Sequence, residues 1–181
     1  MAVVFFTSSV HAIDAMEEAD DTNLWAIPLV DATGKKTNLA EFKDGFILLN
    51  FMFTSCHDVC PLQTTLLVQL QKSLSDELKS KVQFVSITLD PEKDTAVKLM
   101  DHASQYGVDR RTWSFLTGTP QDIKYITRRF SAISLAKDAD LKVHSPRVYL
   151  LGKGGHFLLS YRSDPLDVER VESDLVDLGS D

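Results

Sequence analysis

Phe46-Ile47-Leu48-Leu49-Asn50-Phe51-Met52-Phe53-Thr54-Ser55-Cys56-His57-Asp58-Val59-Cys60-Pro61 is the stretch that decides the fold, because it holds the chain's two cysteines where one hydrophobic period gives way to another. Residues 46–51 are apolar except for Asn50, the pattern of a strand covered on both faces of a central sheet. Beyond Pro61, Leu62, Leu66, Leu67, Leu70, Leu74 and Leu78 recur at the spacing of one helical face, with Gln63, Gln69, Gln71, Lys72 and Lys79 falling elsewhere. The cysteines therefore belong to a strand-to-helix turn. Pro61 suits the first turn of that helix, which puts Cys60 at the helix N-terminus, where the dipole favours thiolate over thiol. If residues 56–60 coil into about one turn, both sulfurs reach the same side, close enough to form a disulfide or to grip one soft ion.

A chain of 181 residues with 44% hydrophobic and 25% charged content suits one globular domain with its own core. Its 19 basic and 26 acidic residues, a formal net charge of -7, argue against a polyanion-binding surface and hence against a nucleic-acid partner. Two cysteines are too few for a disulfide scaffold in a chain of this size, so the pair reads as functional. The motifs contain neither a glycine-rich phosphate loop nor a serine nucleophile elbow, which removes nucleotide-binding and hydrolase readings.

Ala2-Val3-Val4-Phe5-Phe6 with Val10 and Ala12 resembles the end of an export signal, and Glu17, Glu18, Asp20 and Asp21 read as an acidic lead-in. Residues 1–23 are thus expected to be a signal remnant or flexible leader, with a membrane tether absent from this chain, and residues 24–181 the folded domain. Trp25 to Asp31 reads as extended, turning through residues 32–35 into Lys36-Thr37 as an edge hairpin. Leu39 and Phe42 suit a short helical turn. Val82 to Leu89 is a second, β-branched strand, and strand, helix, strand implies a parallel pair. Asp94 is expected to cap a helix carrying Val97, Met100, Ala103 and Tyr106 on one face and stopping at Gly107. Trp113 to Leu116 reads as a strand and Pro120 to Phe130 as a helix. Arg147–Leu151 and Phe157–Tyr161 form a hairpin, and Asp167–Leu178 is a closing helix with Val168, Val171, Leu175 and Val176 apolar. This order is a thioredoxin-like α/β plan, a central mixed sheet with flanking helices and an N-terminal β extension.

Two thiolates hold Cu(I), and an imidazole would complete a trigonal shell. Of the five histidines, His11 lies in the leader, while His102, on a helix away from the turn, and His156, past the hairpin turn, read as solvated surface residues. His57 lies inside the loop. His144 precedes Ser145-Pro146 and the hairpin, where a thioredoxin fold brings a loop against its cysteines, and is the favoured third ligand. Asp90 sits at the strand edge where α/β sites gather, and a structural role is expected for it and for Asp94.

These motifs together resemble the Sco/SenC family of copper-binding, thioredoxin-like proteins. The resemblance covers about Trp25 to Leu178. It is carried by Asn50-Phe51, Phe53 to Cys56, Asp58 to Pro61, Ser86 to Pro91 with Asp94-Thr95, Trp113 to Gly118, and His144-Ser145 before Tyr149-Leu150. It implies that Cys56, Cys60 and His144 bind copper, as Cu(I) or Cu(II). It also implies a role in metallating or reducing the binuclear copper site of cytochrome c oxidase. The expected partner is the copper-accepting oxidase subunit or another copper chaperone, met in the periplasm or at its membrane face. The alternative is a thiol-disulfide oxidoreductase that keeps acceptor cysteines reduced through Cys56 and Cys60, with Cys60 the attacker on dipole grounds and Cys56 by exposure. A peroxidase is the weaker rival, since no activating arginine is evident near Cys56. The chain departs from the family pattern at His57, where proline is common, at Val143, where aspartate is usual, at Asp140 in place of a tyrosine, and at Pro146.

Overall fold

Residues 22–56, 59–130 and 147–179 are described by a computed structural model. Strand β3 (Phe46–Met52) is the centre of the sheet, and all of its residues after Phe46 are buried. It pairs in parallel with β4 (Val82–Thr88) and antiparallel with β6 (Arg147–Leu151). Beyond β4 lies β5 (Trp113–Thr117), also parallel, then β1 (Leu29–Asp31) and β2 (Lys36–Thr37), while β7 (Phe157–Arg162) covers β6 from the other side. The resulting order, β2-β1-β5-β4-β3-β6-β7, is one seven-stranded mixed sheet. The thioredoxin-like plan with an N-terminal β extension is borne out.

Helix α2 (Val59–Ser73) follows β3 and packs against the closing helix α6 (Val168–Gly179), while α4 (Ala96–Gln105) packs against β5. Helix α5 (Pro120–Arg129) starts with Pro120 and is capped by Thr119, whose side chain accepts from the Asp122 N–H. Trp25 and Ala26 differ from the extended reading: they end the short helix α1 (Thr22–Ala26). Its Trp25 ring lies over Gly155, where a Cβ would sit 2.2 Å from the indole, so only glycine allows this docking.

The leucine stripe after Pro61 does not form a single helical face. Helix α2 ends at Ser73 and a separate helix α3 (Asp76–Lys81) begins under a Ser75 cap. Leu62 is 44% exposed, whereas Gln63 and Gln71 are buried. They go inside because their amides find partners: Gln71 bridges the Asp109 backbone and Thr112, and Gln63 joins a hydrogen-bond chain beneath α2. In that chain the Trp113 indole donates to Ser86 Oγ at 2.9 Å, Ser86 donates to Asn50 Oδ1 at 2.7 Å, and Asn50 Nδ2 donates to Gln63 Oε1 at 2.9 Å. Gln63 Nε2 then donates to Ser163. The lone polar residue of the central strand thus links β5, β4, β3 and α2.

In α4 the buried stripe is Leu99, His102 and Ala103, while Val97 is 69% exposed. The helix is capped by Thr95, whose hydroxyl accepts from the Lys98 N–H, and not by Asp94, which is buried one residue earlier. In α6, Val176 is exposed and Asp174 is buried, held by Tyr161 OH and Arg170 Nε, each at 3.0 Å.

Asn50→Leu should cost about 2–5 kcal/mol, because the buried Ser86 hydroxyl loses its acceptor and the buried Gln63 amide oxygen its donor. Lys35→Ala, which removes an exposed ion pair with Glu41, should cost under ~1 kcal/mol. Urea denaturation of the two variants against the parent measures the contrast.

Candidate functional site

Strand β3 delivers the chain to its C-terminal edge at Met52, and the next residues fold into a tight turn in which the Cys56 N–H donates to the Phe53 carbonyl at 3.1 Å. Helix α2 then starts at Val59, placing Cys60 second and Pro61 third, so the strand-to-helix turn is as the sequence implies. Both cysteines are free thiols and they hydrogen-bond one another. Cys56 is half-buried, and Cys60 is 1% exposed.

Burial of Cys60 pushes its thiol well above the usual range, and the hydrogen bond to Cys56 adds to this, while backbone hydrogen bonds pull weakly the other way. This reverses the expectation of a dipole-stabilised Cys60 thiolate. A helix N-terminus contributes at most ~2 kcal/mol to an anion, whereas taking an unpaired charge out of water costs several kcal/mol. Cys60 therefore keeps its proton, and Cys56 is the sulfur that meets a reagent first.

At the neighbouring strand end, the chain turns through residues 90–94 and brings Asp94 back beneath the cysteine turn. The Asp94 carboxylate is 0% exposed. It accepts from the Thr54 N–H at 3.0 Å, from the Thr54 hydroxyl at 2.5 Å and from the Thr88 hydroxyl at 2.6 Å. Nothing in the sequence pattern singles out these partners, because Thr54, Thr88 and Asp94 lie in three separate segments. Asp90 has the structural role expected of it: its carboxylate pairs with Lys93 at 2.9 Å, and its carbonyl accepts from the N–H groups of Lys93 and Asp94.

His102 is not a surface residue. It is 8% exposed and packs its ring against Tyr106 and Phe115, at centroid distances of 4.7 and 5.8 Å. Among the described residues its Nε2 has no hydrogen-bond partner. Burial pulls the imidazole below its usual range and the Asp94 charge partly opposes this. His156 is exposed, as expected, and follows the Leu151 end of β6, beside the start of β3 and far from Cys56. His11, His57, His144 and Pro146 lie outside the described residues. Among the described residues no three His, Cys, Asp or Glu side chains converge to hold a metal, so the described part of the site is the cysteine pair. No described helix is long and apolar enough to cross a membrane.

Residues 25–178 match the SCO1/SenC family. The chain belongs to that family. It is 33% identical over 131 residues to the SCO1 protein homolog of Bacillus subtilis, covering 71% of this chain and 67% of that protein. It is also 33% identical over 149 residues to the mitochondrial SCO2 homolog of Bos taurus, covering 79% of this chain and 54% of the bovine protein. Among solved structures, a SCO1/SenC family lipoprotein from Bacillus anthracis superposes with a TM-score of 0.74 at 27% identity, covering 86% of this chain and 96% of that one. BsSco, described as carrying a disulfide switch and as a member of the Sco family of cytochrome c oxidase assembly proteins, gives 0.69 at 27% identity, covering 86% and 94%. Copper-bound ScoI of Arabidopsis thaliana, at 24% identity and a TM-score of 0.68, covering 85% and 96%, shares the fold.

Two outcomes test this account of the site in the SCO1/SenC chain. Limited alkylation of the reduced protein with iodoacetamide should label Cys56 at least about tenfold faster than Cys60, read by peptide mass spectrometry. His102, with a folded pKa below the unfolded value of about 6.5, leaves stability intact above that pH and erodes it as pH falls below, where the unfolded chain takes up the proton first. His102→Phe removes that liability and an unpartnered buried nitrogen, so it should raise stability by about 1 kcal/mol at neutral pH. Its advantage should widen on acidification to pH ~5. Thermal melts across that range check both.

Proposed function

We propose that this chain is a copper-handling protein in which Cys56 and Cys60 bind Cu(I) as thiolates with the His144 imidazole as third ligand, and which yields the ion by ligand exchange. The acceptor is the copper-accepting subunit of cytochrome c oxidase or another copper chaperone, on the periplasmic side of a membrane. The observation that carries this reading is the pair of free thiols in hydrogen-bond contact at the end of the central strand. Paired soft sulfurs, one of them buried, suit Cu(I), and His144 would add a nitrogen donor that also serves Cu(II). The copper-bound Sco structures of the same fold support it.

Copper here is cargo, and the residues show what loading demands. The Cys60 thiol holds its proton because it is buried, so the incoming cation must displace that proton and take over the neutralising role. Binding is therefore coupled to proton release, more strongly than a pre-formed helix-end thiolate would make it. A disulfide between Cys56 and Cys60 consumes both sulfurs, so oxidised protein holds no Cu(I).

The oxidoreductase reading has its own support: a half-buried Cys56 backed by a buried, hydrogen-bonded Cys60 is the arrangement in which one thiolate attacks a disulfide and the other resolves it. The disulfide switch described for BsSco is consistent with this second use of the pair.

Anaerobic competition of the reduced protein against a Cu(I) chelator tests the assignment. Cys56→Ala and Cys60→Ala should each lower affinity by more than the about 10- to 100-fold that loss of an outer-shell partner costs, and His144→Ala should weaken it while His57→Ala does not. In the parent, affinity should rise steadily between pH ~6 and ~8, because loading must expel the Cys60 proton and the imidazole sheds its own. Unchanged affinity in either cysteine variant, or tight Cu(I) binding by the oxidised protein, removes the assignment.

A further inference from the structure

We infer that Asp94 is the positioning residue of the cysteine turn: its buried carboxylate pins Thr54 and thereby presets Cys56 against Cys60. The inference rests on the reading of the cysteine pair as the working site.

Between the end of β3 at Met52 and Cys56 there are three residues, and three of the contacts that hold their path bear on the argument. One is the turn bond from the Cys56 N–H to the Phe53 carbonyl, and another is the bond from the Leu89 N–H to the Met52 carbonyl at 2.8 Å. The third is Asp94, whose two oxygens each accept from Thr54, one from its N–H and one from its hydroxyl. A bidentate grip fixes the orientation of Thr54 as well as its position, and Cys56 lies two residues on. The carboxylate is itself fixed from behind by the Thr88 hydroxyl and by its own N–H, which donates to the Asp90 carbonyl at 2.8 Å. Thr88 is the last residue of β4, which is paired through its length with β3, and Asp90 lies two residues beyond it. The cysteine turn is thereby tied to the neighbouring strand and not to solvent.

A carboxylate at 0% exposure is an expensive group to place in a core, and helix capping does not account for it, since Thr95 caps α4. Charge-assisted hydrogen bonds are the strong ones, and they define geometry best where water is excluded. Their effect here falls on the distance and angle between two sulfurs. A dithiol held ready has a high effective concentration for closing a disulfide or for sharing one ion, and a loosened turn lowers both. Asp94 acts through Thr54 and touches neither sulfur in the contacts described.

The test is redox equilibrium with glutathione, which needs no copper. Cys56 attacks glutathione disulfide and expels one glutathione, and Cys60 then displaces the second from the mixed disulfide. The protein dithiol loses two electrons and its two protons appear on two molecules of reduced glutathione. Relative to the parent, Asp94→Ala should lower the equilibrium constant for disulfide closure at least about tenfold, a shift of about 30 mV for two electrons. Thr54→Val should lower it about threefold or more, and Thr54→Ser, which restores the hydroxyl, should return it to within about twofold of the parent. Gln71→Leu breaks a buried amide network remote from the turn and serves as the control for lost stability; its equilibrium constant should match the parent. Thr54→Val leaves the carboxylate in place and decides the matter if Asp94→Ala does not fold. An unchanged constant in Thr54→Val and Asp94→Ala, or an equal change in Gln71→Leu, overturns the inference. In parallel, Cu(I) affinity in Asp94→Ala should fall about 10- to 100-fold. Failure of the parent itself to bind Cu(I) would refute the proposed function, while the glutathione result would still decide the role of Asp94.

Discussion

The in-register parallel pairing of β3 with β4, from Phe46 opposite Val82 to Met52 opposite Thr88, is the constraint on which the site depends. Parallel strands end at the same edge of a sheet, so the segments that follow them leave side by side. After β3 comes the cysteine turn, and after β4 comes the turn that carries Asp94. An antiparallel pair would put Asp94 at the far end of the strand, some seven residues from Thr54, or about 20 Å at the usual rise per residue. The Leu89 N–H bond to the Met52 carbonyl extends the pairing one step into the loops and holds the two turns together.

Within this small volume Cys60 and Asp94 are both buried, and each is reconciled with burial by different means. Cys60 stays neutral, with its proton shared toward Cys56. Asp94 accepts three hydrogen bonds from the threonines around it. Under the proposed function the first group exchanges its proton for a soft cation, and the second is committed to holding structure. The desolvation that keeps Cys60 protonated also means that a cation, once seated between the sulfurs, interacts with them through little intervening water. Loading and proton release are two sides of the same exchange.

A second polar system anchors the helix that bears Cys60. The chain from Trp113 through Ser86 and Asn50 to Gln63 and Ser163 crosses three strands, passes through α2 at Gln63 and ends at Ser163, just after β7. Apolar packing alone tolerates small slides of a helix over a sheet, whereas a hydrogen-bond chain with each buried member satisfied selects one register. Gln63 follows Cys60 by less than one turn, so this register also sets the height of the Cys60 sulfur. The cysteine pair is thus held from two sides, Cys60 through Gln63 and Cys56 through Thr54.

The sequence by itself determined the order of the elements, the strand-to-helix turn, the parallel pair and the two sulfurs, because each is written in local periodicity, in Pro61 at a helix start, or in residue chemistry that survives any packing. The family pattern also implied a copper cargo, which the cysteine spacing permits alongside a disulfide. The sequence did not disclose which side of each helix faces inward. Leu62 reads as core and is exposed, Gln63 and Gln71 read as surface and are buried, and His102 lies inside an aromatic cluster, because burial of a polar group turns on partners distant in sequence. Asp94 reads equally well as a cap, since an aspartate before a helix looks the same whether its oxygens meet the helix or a threonine forty residues upstream. The Cys60 thiol departs from its sequence expectation for the same reason: a helix dipole is legible in sequence, but the desolvation that outweighs it exists only once the strands and helices have closed around the sulfur.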